Sequence, residues 1–228
     1  MRIKERLRLV RQEHLNSEHG QSLVELLVFM PVLIIIIAGI VEMGYYLNRY
    51  MNLLDASREA ARYGADFDPV GNYDPQYNHN APTYSGATIN CDTTTEFYSV
   101  VACYAEDNMG VTMNPGNGYD DIVISAFTVK NGVVCYRWPE ARDGIIADNG
   151  WSYMGNQTSK MSSAAVTSIV SVDASTISQG ILIVEIFYQH QQALGLPFFT
   201  IFVPRDIDIY IRTTMPNPTA GSYESSCP

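Results

Sequence analysis

Residues 22–46 read SLVELLVFMPVLIIIIAGIVEMGYY, and between Glu25 and Glu42 they hold sixteen residues without a charge. At a rise of ~1.5 Å per residue these cover about 24 Å, and with the flanks the segment exceeds a hydrocarbon core of about 30 Å. The run predicts a membrane-spanning helix. The core helix of a soluble protein is the plain alternative, but so much uninterrupted apolar surface is more than such a helix carries. A secretory signal removed after its apolar region also fits poorly. Such signals have a short basic start, a short apolar region and a small-residue cut site. Here the basic start is long, the apolar region overshoots, and MGYYLNRYMNLL continues in helical character.

Two residues inside the run depart from a plain span. Pro31 lacks an N–H, so it removes a helical hydrogen bond to the carbonyl of Leu27, and a kink is expected there. Glu25 puts a carboxylate into the apolar run, which costs about 2.5–3.5 kcal/mol at mid-bilayer and less toward the end of a span. Either it sits at the interface, where the charge is cheap, or it has a cationic partner. Directly before it stands Gly20-Gln21-Ser22-Leu23-Val24-Glu25. A cut after Gly20 would create an α-amino group four residues upstream. On this chain or a neighbour, that group is a suitable counter-charge.

Charge differs on the two sides of the run. Residues 1–20 carry five basic groups (Arg2, Lys4, Arg6, Arg8, Arg11) against three acids, a net of +2. From Met51 onward eight Lys/Arg stand against nineteen Asp/Glu, a net of −11. The positive-inside rule then predicts a cytoplasmic N-terminus and an extracytoplasmic C-terminal domain. So acidic a domain argues against nucleic acid as a partner, because that affinity rests on Lys and Arg. All four cysteines (Cys91, Cys103, Cys135, Cys227) fall on the outer side, as suits an oxidising compartment and two disulfides. Four cysteines allow three pairings. Proximity favours Cys91–Cys103, which leaves Cys135–Cys227. Four reduced thiols or a metal site are the alternatives, and the absence of any CxxC speaks against zinc.

The stretch GQSLVELLVFMPVLIIIIAGIVEMGYYLNRYMNLLDASREAARYGAD (residues 20–66) resembles the TadE-like segment of tight-adherence (type IVc) pilus systems. The shared features are a basic leader, a glycine, a Gln-Ser-Leu-Val-Glu start and an apolar helix with an early proline. They close with Ala56-Ser57-Arg58-Glu59-Ala60-Ala61-Arg62. The resemblance implies that a membrane-embedded prepilin peptidase cuts between Gly20 and Gln21. It also implies that Glu25, fifth in the mature chain, aligns subunits by pairing with an adjacent N-terminal amine. One departure bears on the role. Leu26 follows the glutamate where major pilins of this system carry an aromatic residue, which favours a minor pilin or pseudopilin over the main filament subunit. The implied partners are the bilayer, the peptidase, other pilin-like subunits and the assembly machinery. The implied place is the bacterial inner membrane, crossed once, or the pilus itself. An uncleaved, signal-anchored binding or sensor module is the alternative from another class.

Beyond the span, apolar and small residues at helical spacing (Leu47, Tyr50, Met51, Leu54, Ala61) extend the helix toward Gly64, a plausible C-cap. Domains are expected at 1–20 (leader), 21–65 (spanning and extended helix) and 66–228 (head). Residues 66–94 read as a loop rich in Asp, Asn, Pro, Gly and Tyr. An EF-hand reading of Asp66-x-Asp68-x-x-Gly71 fails, because Val70 and Tyr77 occupy ligand positions. A calcium site of another kind stays open. A short helix is expected over Thr95–Asn108, with Phe97, Val100, Val101 and Tyr104 on one side. Asp121–Val129 and Val133–Trp138 around Asn131-Gly132 predict a hairpin. Residues 139–160 read as loop, with Trp151 and Tyr153 packing or facing a partner. Ser162–Ser171 reads as a short helix, and Ile181–Gln189 and Asp206–Arg212 as strands. Glu185–Tyr188, Leu196-Pro197 and Tyr210–Met215 resemble, more loosely, the C-terminal half of long TadE-like proteins. The expected fold is α+β: a long N-terminal helix entering a small extracytoplasmic head with an antiparallel sheet.

No sequence pattern supports catalysis. No HExxH, GxSxG, P-loop or dinucleotide-binding glycine motif occurs. Glu185 and His190, five apart on a strand, face opposite sides. Asp206 and Asp208 share a face and read as solvated charges. Asn156-Gln157-Thr158 matches a glycosylation sequon, a weak signal at three residues. A non-enzymatic protein without cofactor or metal is expected.

Overall fold

The computed structural model describes residues 2–69, 91, 96–139, 149–170, 179–195 and 204–222, with side chains in the first helix from Ser22 onward. The chain divides into two compact units, Met1–Leu47 and Asn48–Pro228. A single helix, α1 (Arg2–Ala65), contributes to both. It starts twenty residues before the expected span, because residues 2–19 hold neither glycine nor proline and are rich in Arg, Leu and Glu, all good helix formers.

In the second unit the last turns of α1 are followed by α2 (Phe97–Asn108), β1 (Asp121–Lys130), β2 (Val133–Trp138) and β3 (Trp151–Ser152). Then come α3 (Ser163–Val170), β4 (Gln179–Gln191), β5 (Asp206–Pro216) and a one-turn α4 (Pro218–Gly221). The sheet is antiparallel in the order β2-β1-β4-β5, with β3 also on β1. Asn131 and Gly132 both take positive φ, 52° and 75°, as a tight two-residue hairpin turn requires. The fold is α+β, as the alternation and punctuation of the sequence predict.

Both faces of the sheet are covered, which explains the nearly unbroken apolar run of β4: Gly180–Phe187 are all buried. One face meets α1 and α2. There Leu53, Ala56, Ser57, Ala60 and Ala61 are fully buried, Ser57 Oγ lies 2.7 Å from Thr213 Oγ1, and Tyr63 stacks on Tyr104. The other face carries Phe127, Val129, Ile181 and Ile183 beneath Met161 and Val166.

Gly64 does not cap α1. The helix continues through it to Ala65, and a Cβ at Gly64 would lie 2.7 Å from Leu182 Cδ2 and 2.9 Å from Val101 Cγ2. The glycine serves close packing. Gly64→Ala therefore sets a helix-propensity gain of up to about 1 kcal/mol against overpacking of about 1–3 kcal/mol. A lower melting temperature is expected. An unchanged one would mean that Leu182 and Val101 yield at no cost.

α2 begins two residues later than expected; of the expected stripe Phe97 and Val101 are buried, together with Tyr98, Ala102 and Ala105, while Val100 and Tyr104 are half-buried. A disulfide joins Cys91 to Cys103 on this helix. Cys135 is also disulfide-bonded, and Cys227, the partner expected for it, lies outside the described residues. Replacing Cys91 and Cys103 together by serine should cost about 3 kcal/mol, the chain entropy of a closed loop of this length. A thermal melt without reductant is the check.

The expected loop over 139–160 contains a two-residue strand. Trp151 and Tyr153 are both buried, so they pack within the domain. Asn156 of the sequon donates its amide to the carbonyls of Pro115 and Asp120, both at 3.0 Å. Its nitrogen is thus committed inside the fold. β5 runs on to Pro216, four residues past the expected end, through pairing of Thr213–Pro216 with Ile181–Val184. Most of the loop expected over 66–94 falls outside the described residues, including Gly71 and Tyr77.

Three buried carboxylates organise the second unit. Asp121 accepts from the backbone N–H groups of Ile122, Met154, Asn156 and Gln157 and from Ser152 Oγ. Glu185, in the middle of β4, accepts from Ser159 Oγ, from Lys160 N at 2.9 Å and from the Tyr210 hydroxyl at 2.7 Å. Asp120 accepts from Asn114 N and Gln189 N. Burial, together with the hydrogen bond and charge of Glu185, holds the Tyr210 hydroxyl well above the ordinary tyrosine range. Asp121 and Glu185 exchange water for donors on segments distant in sequence, which ties 152–160 to the sheet.

Candidate functional site

The site implied by the sequence lies in the first unit. Ser22–Ala65 is, among the described residues, the one helix long and apolar enough to cross a membrane, and little of its most apolar stretch is buried. Every large apolar side chain from Leu23 to Ile37 is exposed, from 43% at Ile35 to 68% at Leu27. A soluble core helix would bury this surface. An exposed apolar face of this size requires lipid or other helices as its environment.

Polar features on the apolar stretch of this helix are few. Glu25 is exposed, and no charge follows it until Glu42. Gly20 and Gln21 both lie within α1, and the side chain of Gln21 is outside the described residues. Gln21 and Glu25 stand at i and i+4, hence on one face and about one turn apart. Gly20 is the only glycine between Arg2 and Met30, and no proline occurs there. It is therefore the point where helix is cheapest to open, by roughly 1 kcal/mol relative to alanine. Pro31 lies inside α1, whose helical course runs through it. The carbonyl of Leu27 is left without that N–H.

Residues weighed for other chemistry are placed differently. Glu185 is fully buried, and the donors from Ser159, Lys160 and Tyr210 described above surround it. His190 is five residues on, at opposite parity along the same strand. Asp206 and Asp208 are exposed near the start of β5. Sequence reasoning did not single out Asp120 and Asp121. The available signal was a pair of acids at the mouth of an otherwise apolar strand, DDIVISAFTV.

No curated protein and no solved structure matches this chain. The family model for TadE-like protein matches residues 20–62. That match begins at Gly20, takes in Glu25 and Pro31, and ends at Arg62, before the sheet. Over residues 20–62, from the glycine through the exposed apolar helix to the first turns packed on the head, this chain is similar to the TadE-like family.

Proposed function

We propose that the chain is a minor pilin or pseudopilin of a tight-adherence pilus system, a structural protein rather than an enzyme. The observation that carries this reading is an apolar helix with its surface unburied and one carboxylate, Glu25, five residues after Gly20, all inside the TadE-like match. A prepilin peptidase removes residues 1–20. The freed amine of Gln21 and the carboxylate of Glu25 then align this helix with those of neighbouring pilin-like subunits in the membrane, before incorporation into a filament or priming of one. Ala38, Gly39 and Gly44 allow close helix approach. The basic leader faces the cytoplasm and the acidic head the outside, where the Cys91–Cys103 bond suits an oxidising compartment. Adhesion and secretion are the processes such a subunit supports.

Intact mass and N-terminal sequence of the protein from its native membrane test this reading. A chain beginning at Gln21 is expected. A chain that still begins at Met1 while the peptidase is active would leave a plain signal anchor, and the head would have to be treated as a sensor or binding domain.

A further inference from the structure

The sheet ends in β2 on one side and β5 on the other, and the two edges are built differently. β2 is six residues long, shifts register against β1 at Thr128/Val129, and gives its Val134 N–H to Thr167 Oγ1 of α3 at 3.1 Å. A short strand, a bulge and a covering helix are ordinary defences of a sheet edge. β5 has none of these three. It runs eleven residues with proline only at its end, and its register with β4 is unbroken from Asp206 to Pro216. Among the described residues no strand lies on its other side.

The phase of the β4–β5 ladder decides which main-chain groups face outward. At its two ends, Gln192 N–H donates to the Arg205 carbonyl at 3.1 Å and Asn217 N–H to the Gly180 carbonyl at 2.8 Å. Hydrogen-bonded pairs alternate along an antiparallel ladder, so the odd-numbered residues of β5 bond to β4. Asp206, Asp208, Tyr210, Arg212 and Thr214 therefore turn N–H and C=O away from the sheet, and no described residue bonds to those groups. Pro216 shares their phase, where its missing N–H costs the ladder nothing. The side chains of these residues lie on the face opposite α1, since Thr213 meets Ser57 of that helix. Asp206, Asp208, Arg212 and Thr214 are exposed. Asp208 accepts from the Gln189 amide and Arg212 reaches Met161 Sδ, but neither forms an ion pair among the described residues.

We propose that β5 pairs antiparallel with β5 of a second copy, joining two heads through one continuous sheet. The charges choose this occupant and its register. With Tyr210 opposite Tyr210, Asp208 of each copy faces Arg212 of the other, and Asp206 faces Thr214. Five outward-facing residue pairs then exchange about ten main-chain hydrogen bonds, two per pair. Two opposite-charge pairs form on one face of the joined sheet. Centring the contact on Asp208 or on Arg212 sets like charges opposite each other, and so does parallel pairing in register. Centring it on Ile209 keeps Asp206 opposite Arg212 but shortens the overlap. Charges that repel most strands thus admit this one. The last turns of α1 run in the direction of β5, because Ser57 meets Thr213 and the Gly64 carbonyl accepts from the Asn217 amide. These helical segments run in opposite directions in the pair, so the two chains meet head to head. The proposal rests on the head alone and not on the pilin-like reading.

The test uses the full chain in dodecylmaltoside micelles, where no described native cysteine is free to compete with an added one. Asp206→Cys and Thr214→Cys chains with different tags are mixed and mildly oxidised. In the proposed register these positions form a hydrogen-bonded pair with Cα atoms about 5.5 Å apart, within disulfide reach. The two copies of either position alone stand roughly 27 Å apart. A mixed disulfide is expected, and neither variant should link to itself. Adding Asp208→Arg to both chains should lower the yield of this link about tenfold, as should Arg212→Asp, and the two together should restore it. Circular dichroism verifies the fold of each variant. Absence of the mixed link, including in chains that associate only through the span, would overturn the proposal. So would a link indifferent to Asp208→Arg, or capture of Thr214→Cys in native membranes by a different polypeptide instead of a second copy.

Discussion

Asp121→Ala is expected to destabilise the unit 48–228 by about 3–5 kcal/mol, because several buried donors lose their acceptor at once. The carboxylate is fully buried and receives five hydrogen bonds, four of them from backbone N–H groups that cannot turn elsewhere. Asp121→Asn keeps the shape but directs an amide N–H₂ at positions already filled by donors, so it should lose nearly as much. Urea unfolding followed by fluorescence of Trp151, the neighbour of Ser152, reads the effect. A loss below about 1 kcal/mol would mean that solvent replaces the carboxylate.

The same residue sets a pH dependence. Burial raises the Asp121 carboxyl above its ordinary value of 3.8, against the pull of the hydrogen bonds from Ser152, Met154, Gln157 and Asn156. A raised value means that the folded chain holds this proton more tightly than the unfolded one. The contribution is therefore complete below pH 3.8 and is lost as pH rises through the folded-state value. Asp121→Asn should remove that slope, which stability measured across the acid range would show.

These consequences were not legible in the sequence, whereas the architecture was. Periodicity marks an element by the surface it must bury, so the apolar run after Glu25, the alternation of DIDIYIR and the Asn131-Gly132 turn each announce themselves locally. Ile181–Gln189 reads as a strand for the same reason. What escapes is set by partners far along the chain. Asp121 and Glu185 look like ordinary charges until residues 152–160 fold over them and supply donors. Gly64 looks like a helix end until Leu182 and Val101 arrive against it. Phe97, Val100, Val101 and Tyr104 give α2 an apolar stripe at helical spacing, but in the fold Tyr98, Ala102 and Ala105 are buried with Phe97 and Val101, while Val100 and Tyr104 are only half-buried. The membrane segment is the opposite case. Its environment is lipid or other helices rather than this chain's own residues, so composition alone conveys nearly all that can be known of it.

Glu25→Ala is expected to leave membrane insertion intact and to lower assembled protein by on the order of tenfold or more, since a charge pair outside bulk water is stronger than one within it. Insertion should survive because removing a carboxylate from an apolar run is favourable, by up to about 2.5–3.5 kcal/mol at mid-bilayer. Under the proposed function, assembly depends on a pairing that needs two events: the carboxylate must be present, and the amine of Gln21 must have been freed. A chain that is not cut after Gly20 lacks the amine as surely as Glu25→Ala lacks its partner. The two defects should therefore not add. A Gly20 variant that blocks cleavage, Glu25→Ala, and the double variant would be compared for membrane-fraction content and for recovery in sheared filaments. If the pair is the mechanism, the double variant assembles no worse than the poorer single variant. Additive losses would separate the roles, with Gly20 acting only in processing and Glu25 only at the interface. Undiminished assembly of Glu25→Ala would remove the pairing outright and leave the carboxylate as an interfacial charge near the end of the span.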